Sequence, residues 1–170
     1  MKTLILIRHA KSSWKDPTLD DHDRPLNKRG LRDAPTMGRR LDAHLRTQTI
    51  NGPDVWLSSS AERALATSRL ISMELTLDTP PIEPTPALYS FDPIELLRVV
   101  RHLDARHQQV WIVGHNPAIA DLAERLTGTA LPKVPTCALL QIQLDAPTWR
   151  EIEQHDAELL WFDYPNRPTA

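Results

Sequence analysis

The chain has 170 residues, a length typical of one domain, and 41% of them are apolar and 25% charged. That composition is typical of a globular protein whose core forms without disulfide or metal staples. Its 20 basic and 22 acidic residues give a formal net charge of −2. We therefore expect no nucleic-acid partner, and at most a local basic patch around a small anion.

Cys137 is the only cysteine, which excludes an intrachain disulfide and a multi-cysteine zinc site and makes a cytoplasmic location the default expectation. The apolar run Leu4–Ile7 stops at Arg8. Because that run is too short for a signal-peptide core or a membrane span, we expect no membrane partner.

Predicted strands and helices alternate along the chain. Short, nearly continuous apolar runs predict strands covered on both faces at Thr3–Ile7, Asp54–Leu57, Gln109–Val113 and Ala138–Leu144, and a further short strand is expected around Glu83. Helical spacing of apolar residues predicts helices over Leu31–Leu45, from Ser59 to about Leu75, from Asp92 and from Asn116.

The last two helices have clear boundary signals. Asp92 and Pro93 are followed by Glu95, a typical cap, first-turn proline and capping-box glutamate. Asn116 and the proline after it repeat the start signal, and Gly128 stands just beyond the last apolar position. These residues therefore predict both ends of the final helix.

The first two helices are less sharply bounded. Ser59 and Glu62 have the spacing of a capping box. Pro35 interrupts the first helical pattern, so that helix either starts near Asp33 or is kinked.

The alternation of strands and helices predicts an α/β fold, a three-layer sandwich with a mostly parallel central sheet flanked by helices. We expect a single domain over 1–164 and a loosely held C-terminal tail over 165–170. The segment from Trp161 to the C-terminus contains three turn-forming residues, and we expect the loose character to begin there.

Basic residues stand shortly after the ends of three predicted strands. Arg8 and His9 follow the first, a serine run and then Arg63 follow the second, and His115 follows the strand that ends at Val113. Ligands gather beyond the carboxyl ends of parallel strands. Two guanidinium groups and two helix N-termini at that edge favour a phosphate group.

His9 is placed to act as a nucleophile at this edge. A neutral imidazole nitrogen attacks phosphorus without first losing a proton, and neighbouring cations help to keep it neutral. The competing interpretation of Arg8 and His9 as ordinary surface residues is common for such a pair in isolation. The acidic run Asp20–Asp23 could suggest a metal site, which we do not expect. Trp14 could flank the site, although a position in the core is the safer prediction.

Four motifs in this chain resemble those of the histidine phosphatase superfamily, and within it the short SixA-type phosphohistidine phosphatases. In chain order they are Leu6-Ile7-Arg8-His9-Ala10, Arg24-Pro25-Leu26-x-x-x-Gly30, Ser59-x-x-x-Arg63-Ala64-x-x-Thr67 and Gly114-His115-Asn116-Pro117. The resemblance implies a phosphoglycerate mutase-like fold and a transient phosphohistidine on His9.

The same resemblance implies which residues bind the phosphoryl oxygens, namely Arg8, Arg24, Arg63 and His115, the last expected to be protonated. Asp21, three residues before the arginine of the second motif, is the candidate general acid, with Asp20 and Asp23 as alternatives. The glutamate acid of the mutase branch has no counterpart between Ile82 and Glu95.

Two further positions depart from the family pattern. Ala10 replaces a glycine, which strains the backbone only if φ is positive there, and we expect that it is not. Lys15 replaces an asparagine, and whether it contacts phosphate is left open.

The predicted function is hydrolysis of a phosphoryl group through His9, with protein phosphohistidine as the expected substrate. Two alternatives stay open: a small-molecule phosphomonoesterase of the same superfamily, and a non-catalytic phosphate-binding module. No cofactor and no metal are expected. The partner is a phosphorylated protein, and a monomer is the default oligomeric state.

Overall fold

The structure is a computed structural model and describes residues 1–168. Six strands form one sheet: β1 (Lys2–Arg8), β2 (Val55–Ser59), β3 (Ile82–Thr85), β4 (Gln109–Gly114), β5 (Leu139–Leu144) and β6 (Ala157–Asp163). Four helices flank it: α1 (Lys28–Thr47), α2 (Glu62–Ser72), α3 (Pro93–Arg101) and α4 (Ala118–Thr127). Short 3₁₀ turns lie at Asp21–Asp23, Pro86–Leu88 and Trp149–Gln154.

The strand order is β3-β2-β4-β1-β5-β6. Strands β1 to β4 run parallel, whereas β5 is antiparallel to β1 and β6 is antiparallel to β5. The α/β class and the mostly parallel, helix-flanked sheet are therefore confirmed. None of the helices within residues 1–168 is both long and apolar enough to cross a membrane.

Both faces of β1 are buried, which explains its unbroken apolar sequence. Leu4 and Leu6 pack with α3 and α4, and Ile5 and Ile7 pack with α1 and α2. All four side chains are fully buried. Burying an aliphatic side chain contributes roughly 1.5–3 kcal/mol, so the two cores fix the register of the strand that carries the first motif.

The Asp92 cap and the end at Gly128 are confirmed. The Glu95 carboxylate pairs with Arg98 instead of closing a capping box, and α4 begins at Ala118, with Pro117 at its cap position. The carboxylate of Asp92 accepts a hydrogen bond from the Ile94 amide at 2.9 Å, and Gly128 ends α4 in the left-handed region with φ of 69°. The amide oxygen of Asn116 accepts from the Ala120 amide at 3.2 Å.

The predicted boundaries of α1 and α2 need correction. Helix α1 begins at Lys28, because Asn27 caps the Gly30 amide at 2.9 Å, and it runs through Pro35. The Ser59 capping box is wrong: α2 begins at Glu62 with no side-chain cap and ends at Ser72 rather than Leu75. The Ser59 hydroxyl instead bonds the ring of His115.

The expectation of a loose C-terminal segment from Trp161 onward is wrong for its first part. Trp161 lies in β6, which continues to Asp163 and pairs with β5. The ring of His44 on α1 stacks on Trp161 at 3.8 Å between centroids. Beyond β6, Pro165 is buried and 166–168 are exposed, and the remainder of the predicted tail lies outside the described residues.

Candidate active site

Two histidines meet where parallel strands end side by side. Strands β1 and β4 are paired so that Arg8 lies opposite Gly114, and the next residue of each chain segment is a histidine. The imidazole centroids of His9 and His115 are 5.0 Å apart. The sheet register therefore brings together two residues that are 106 positions apart in sequence.

The hydrogen bond of His9 determines its tautomer. Its Nδ1 lies 2.7 Å from the carbonyl oxygen of Ala10, and because a carbonyl can only accept, Nδ1 carries the hydrogen. Nε2 consequently keeps its lone pair. Burial, followed by the positive charges of Arg63 and Arg8, lowers the pKa of His9 from 6.5 to about 4, so the ring is neutral at pH 7.

The backbone at Ala10 has no positive φ, as expected. Its side chain is fully buried, and its amide donates to the Thr67 hydroxyl at 2.9 Å. Thr67 in turn donates to the Arg63 carbonyl at 2.7 Å. The last threonine of the third motif thus ties the loop that begins at His9 to helix α2.

Three buried nitrogens around His9 have no hydrogen-bond partner within residues 1–168: Arg8 Nε, Arg63 Nε and His115 Nδ1. A buried, unpaired donor costs about 1–3 kcal/mol, so such groups normally face a ligand or catalytic role. Arg63 is only 2% exposed, and Arg8 is anchored through Nη1 to the Val134 carbonyl at 2.8 Å. The arrangement is that of a cradle for an oxyanion.

Ser59 fixes the second histidine. Its hydroxyl oxygen accepts from the Ala61 amide at 3.2 Å and lies 2.8 Å from His115 Nε2. When the hydroxyl donates to Nε2, His115 carries its own hydrogen on Nδ1, and this is the tautomer that can donate to an oxyanion. Burial, and then the charges of His9 and Arg63, lowers the pKa of His115 to about 3. The ring is therefore neutral here at pH 7, and the expectation that His115 is protonated beside a phosphoryl dianion, whose charge would raise that pKa, stays a prediction.

Asp21 lies against the same arginines. Its Oδ2 accepts from Arg63 Nη2 at 2.9 Å and from the Tyr89 hydroxyl at 2.6 Å, and its backbone carbonyl accepts from Arg63 Nη1 at 2.6 Å. The bond from Tyr89 and those from the arginines hold the pKa of the carboxyl well below its ordinary range. Within the described residues, the side chains of Asp20 and Asp23 make no hydrogen bond or ion pair with Arg24 or Arg63.

Arg24 is directed at the loop that precedes it. Its Nε donates to Asp21 Oδ1 at 3.1 Å, and its Nη1 donates to the Ser12 hydroxyl at 2.7 Å and to the Ser13 carbonyl at 3.2 Å. These bonds position Asp21. Direct contact of Arg24 with a phosphoryl group stays a prediction.

Trp14 covers Arg24 rather than filling the core. The indole is 73% exposed, and the guanidinium carbon of Arg24 lies 3.5 Å from a ring centroid. The core prediction for Trp14 is wrong because the residue lies in the connection after β1, where its ring packs on the flat Arg24 cation. Lys15, beside it, is exposed.

Two aromatic residues at the site were missed from the sequence. Tyr89 and Phe91 lie edge-on to His115, with centroid distances of 5.5 and 5.1 Å. They follow β3, whose carboxyl end meets the same sheet edge as β2. The strand-end rule that found His9 would have found them if it had also been applied to this short strand.

The acidic run around Asp21 does not form a metal cage. Within residues 1–168, no group of three or more histidine, cysteine, aspartate or glutamate side chains is placed to hold a metal ion. Independence from metal is a prediction that only chemistry can test.

Residues 4–92 match the histidine phosphatase superfamily (branch 1). A protein of unassigned function from Mycobacterium leprae is 31% identical over 94% of this chain and 99% of its own length. A candidate phosphohistidine phosphatase SixA from Agrobacterium tumefaciens superimposes with a TM-score of 0.77 at 27% identity, covering 97% of this chain and 99% of the other. The chain therefore belongs to the histidine phosphatase superfamily, and its structural likeness is to the SixA type.

The same fold also occurs in a more distant protein, a mycobacterial glucosyl-3-phosphoglycerate phosphatase. It superimposes with a TM-score of 0.66 at 14% identity, covering 96% of this chain and all of the other. That degree of likeness shows the fold alone.

Proposed function

We propose that this phosphatase removes the phosphoryl group from phosphohistidine in a protein through a covalent phosphohistidine on His9. The observation that carries the chemistry is the pairing of a neutral His9, whose Nε2 holds a lone pair, with three buried donors that have no partner within residues 1–168. A phosphoryl group has three peripheral oxygens to accept those three bonds.

The reaction would take two displacements at phosphorus. In the first, His9 Nε2 forms a bond to phosphorus as the bond to the substrate's imidazole nitrogen breaks, and the leaving nitrogen takes a proton from water or an acidic group. In the second, water attacks the phosphohistidine, releasing phosphate and restoring His9. Arg8, Arg63 and the Nδ1–H of His115 would stabilise the charge on the peripheral oxygens in both steps.

The surroundings of the site favour a phosphorylated side chain over a small metabolite. Two short segments border the site, the Lys15–Asp23 loop and the residues between β3 and α3, and the rest of the chain between α2 and β4 is used by β3 and α3. A small metabolite normally needs most of its surface buried for affinity. Phe91, 46% exposed beside His115, offers an edge for a planar ring.

The ionised state of Asp21 agrees with the same substrate. A carboxyl group whose pKa lies far below its ordinary value is a poor proton donor at neutral pH. A leaving imidazole is less basic than an alkoxide and needs less help from a strong acid. Phosphohistidine is therefore the substrate that this site is best equipped to cleave.

Steady-state kinetics on two substrate classes test the proposal. We expect kcat/KM for a phosphohistidine protein to exceed that for sugar phosphates or phosphoglycerates by at least ~10²-fold, about 2.7 kcal/mol of transition-state discrimination. EDTA should leave the rate unchanged. Comparable rates on a small metabolite would favour the phosphomonoesterase alternative, and binding without turnover would favour a phosphate-binding module.

A further inference from the structure

An internal anion already occupies part of the phosphate cradle. The Asp21 carboxylate bonds Arg63 through Nη2 at 2.9 Å and Arg24 through Nε at 3.1 Å, and the Asp21 carbonyl takes the other terminal nitrogen of Arg63. Both terminal nitrogens of Arg63 are thus used by one residue of the loop. Only Nε of that guanidinium is left without a partner within residues 1–168.

Of this pair, Asp21 is the member that can move. Arg63 is enclosed in helix α2, whereas the Asp21 side chain is 42% exposed and sits in a 3₁₀ turn of three residues. An arginine binds a carboxylate and a phosphate with the same fork of donors. A phosphoryl group that takes the Nη2 hydrogen now bonded to Asp21 must displace the carboxylate, and one that binds any other N–H of Arg63 meets the negative charge of that carboxylate.

We propose that Asp21 is a built-in competitor for the phosphoryl group and that Tyr89 is the positioning residue that holds it in place. The inference rests on the proposed function, in which Arg63 binds that group. Asp21 thereby weakens the binding of every phosphate-sized anion, including the released product, and the site favours substrates whose other contacts offset the displacement.

A hydrogen bond from Tyr89 holds the Asp21 carboxylate against Arg63. The Tyr89 hydroxyl donates to Asp21 Oδ2 at 2.6 Å, and Tyr89 stands on the segment after β3, 68 residues along the chain from Asp21. Burial and the neighbouring carboxylate raise the pKa of Tyr89, so the hydroxyl remains a donor. The bond therefore joins two segments that are distant in sequence, both of which border the cradle.

Calorimetric titration with sulfate, a dianion from pH 5 to 8, tests the competition without any turnover. Asp21→Asn keeps the size of the side chain and removes its charge, so we expect sulfate to bind at least ~10-fold more tightly than to wild type, about 1.4 kcal/mol. Tyr89→Phe should tighten binding by a smaller factor. Asp16→Asn, which removes the same charge from the same loop away from the arginines, should bind as wild type does.

Unchanged or weaker sulfate binding by Asp21→Asn would overturn the proposal, and equal tightening in Asp16→Asn would reassign the effect to overall charge. If Asp21→Asn does not fold, Tyr89→Phe alone decides. If wild type hydrolyses phosphohistidine through His9 but sulfate binds Asp21→Asn no more tightly, only the competitor role is refuted. If wild type does not hydrolyse phosphohistidine, the proposed function is refuted instead.

Discussion

The two walls of the site are built in different ways. One, the strand-end wall, consists of Arg8, His9 and His115, which directly follow or end paired strands and are held by the core beneath them. The other, the loop wall, consists of Trp14, Asp21 and the arginine that joins them, and it is held by charge and by a cation–π contact. The groups that we propose to react therefore lie on the wall held by the core, and the carboxylate that we propose to be displaced lies on the other.

The largest effect on kcat should come from Arg63, which lies between the two walls and bonds Asp21 of the loop wall. Arg63→Ala removes donors to the transferring phosphoryl group, and we expect kcat to fall ~10²–10³-fold, as for a deleted oxyanion donor. Arg69→Ala, an exposed arginine further along the same helix, is the matched control and should leave kcat unchanged. An Arg63 variant within threefold of wild type would remove this residue from the site.

The strand-end wall should also govern stability in acid. His9 has a pKa of about 4 in the folded chain and 6.5 ordinarily, so below pH 6.5 the unfolded chain binds the proton more readily. Stability is full above that pH and should fall by about 3 kcal/mol per buried histidine as the pH drops to 4. Urea unfolding of wild type and His9→Asn between pH 7 and 4 measures this loss of stability. An equal dependence of the unfolding free energy on pH in both proteins would contradict the burial of a neutral His9.

A smaller effect is expected from the residue that orients His115. Ser59→Ala removes the hydroxyl's contacts with the Ala61 amide and with His115; the buried bond to His115 is worth about 1–1.5 kcal/mol, so kcat/KM should drop ~10-fold. The ¹⁵N shifts of His115 should show a loss of the single Nδ1–H tautomer. Ser58→Ala, whose hydroxyl bonds the Ser59 carbonyl, is the control. A tautomer that survives Ser59→Ala would show that another group positions the ring.

The smallest effect should come from the loop wall's exposed indole. Trp14→Ala loses a cation–π contact worth about 0.5–1 kcal/mol at an exposed site, so KM should rise two- to fivefold, roughly, with kcat unchanged. Trp14→Phe keeps a ring over Arg24, so its KM should lie between those of wild type and Trp14→Ala. A drop in kcat equal to that of Arg63→Ala would show that both walls carry the chemistry.

The difference between the walls also explains what the sequence could predict. Residues such as His9 and His115 are found from strand periodicity and the strand-end rule, because the apolar pattern determines where each strand stops. Asp21 could be named only through the family resemblance, since nothing local to it specifies a partner 42 residues away. Its link to Tyr89 was not predicted at all.

Two fold-level errors have the same origin. Ser59 has the spacing of a helix cap, but its hydroxyl is bound by His115 from another strand. Trp161 precedes several turn-forming residues, yet β6 continues through it because β5 and the ring of His44 provide partners. In both places a contact distant in sequence overrides a local signal.

Rapid-quench labelling tests the central claim most directly. A ³²P-labelled phosphohistidine protein is mixed with the phosphatase and quenched within milliseconds, and the labelled peptide is mapped. We predict a label that is acid-labile and alkali-stable, sits on His9 and is absent from His9→Asn. Label on a serine or an aspartate, or full turnover by His9→Asn, would contradict the covalent mechanism.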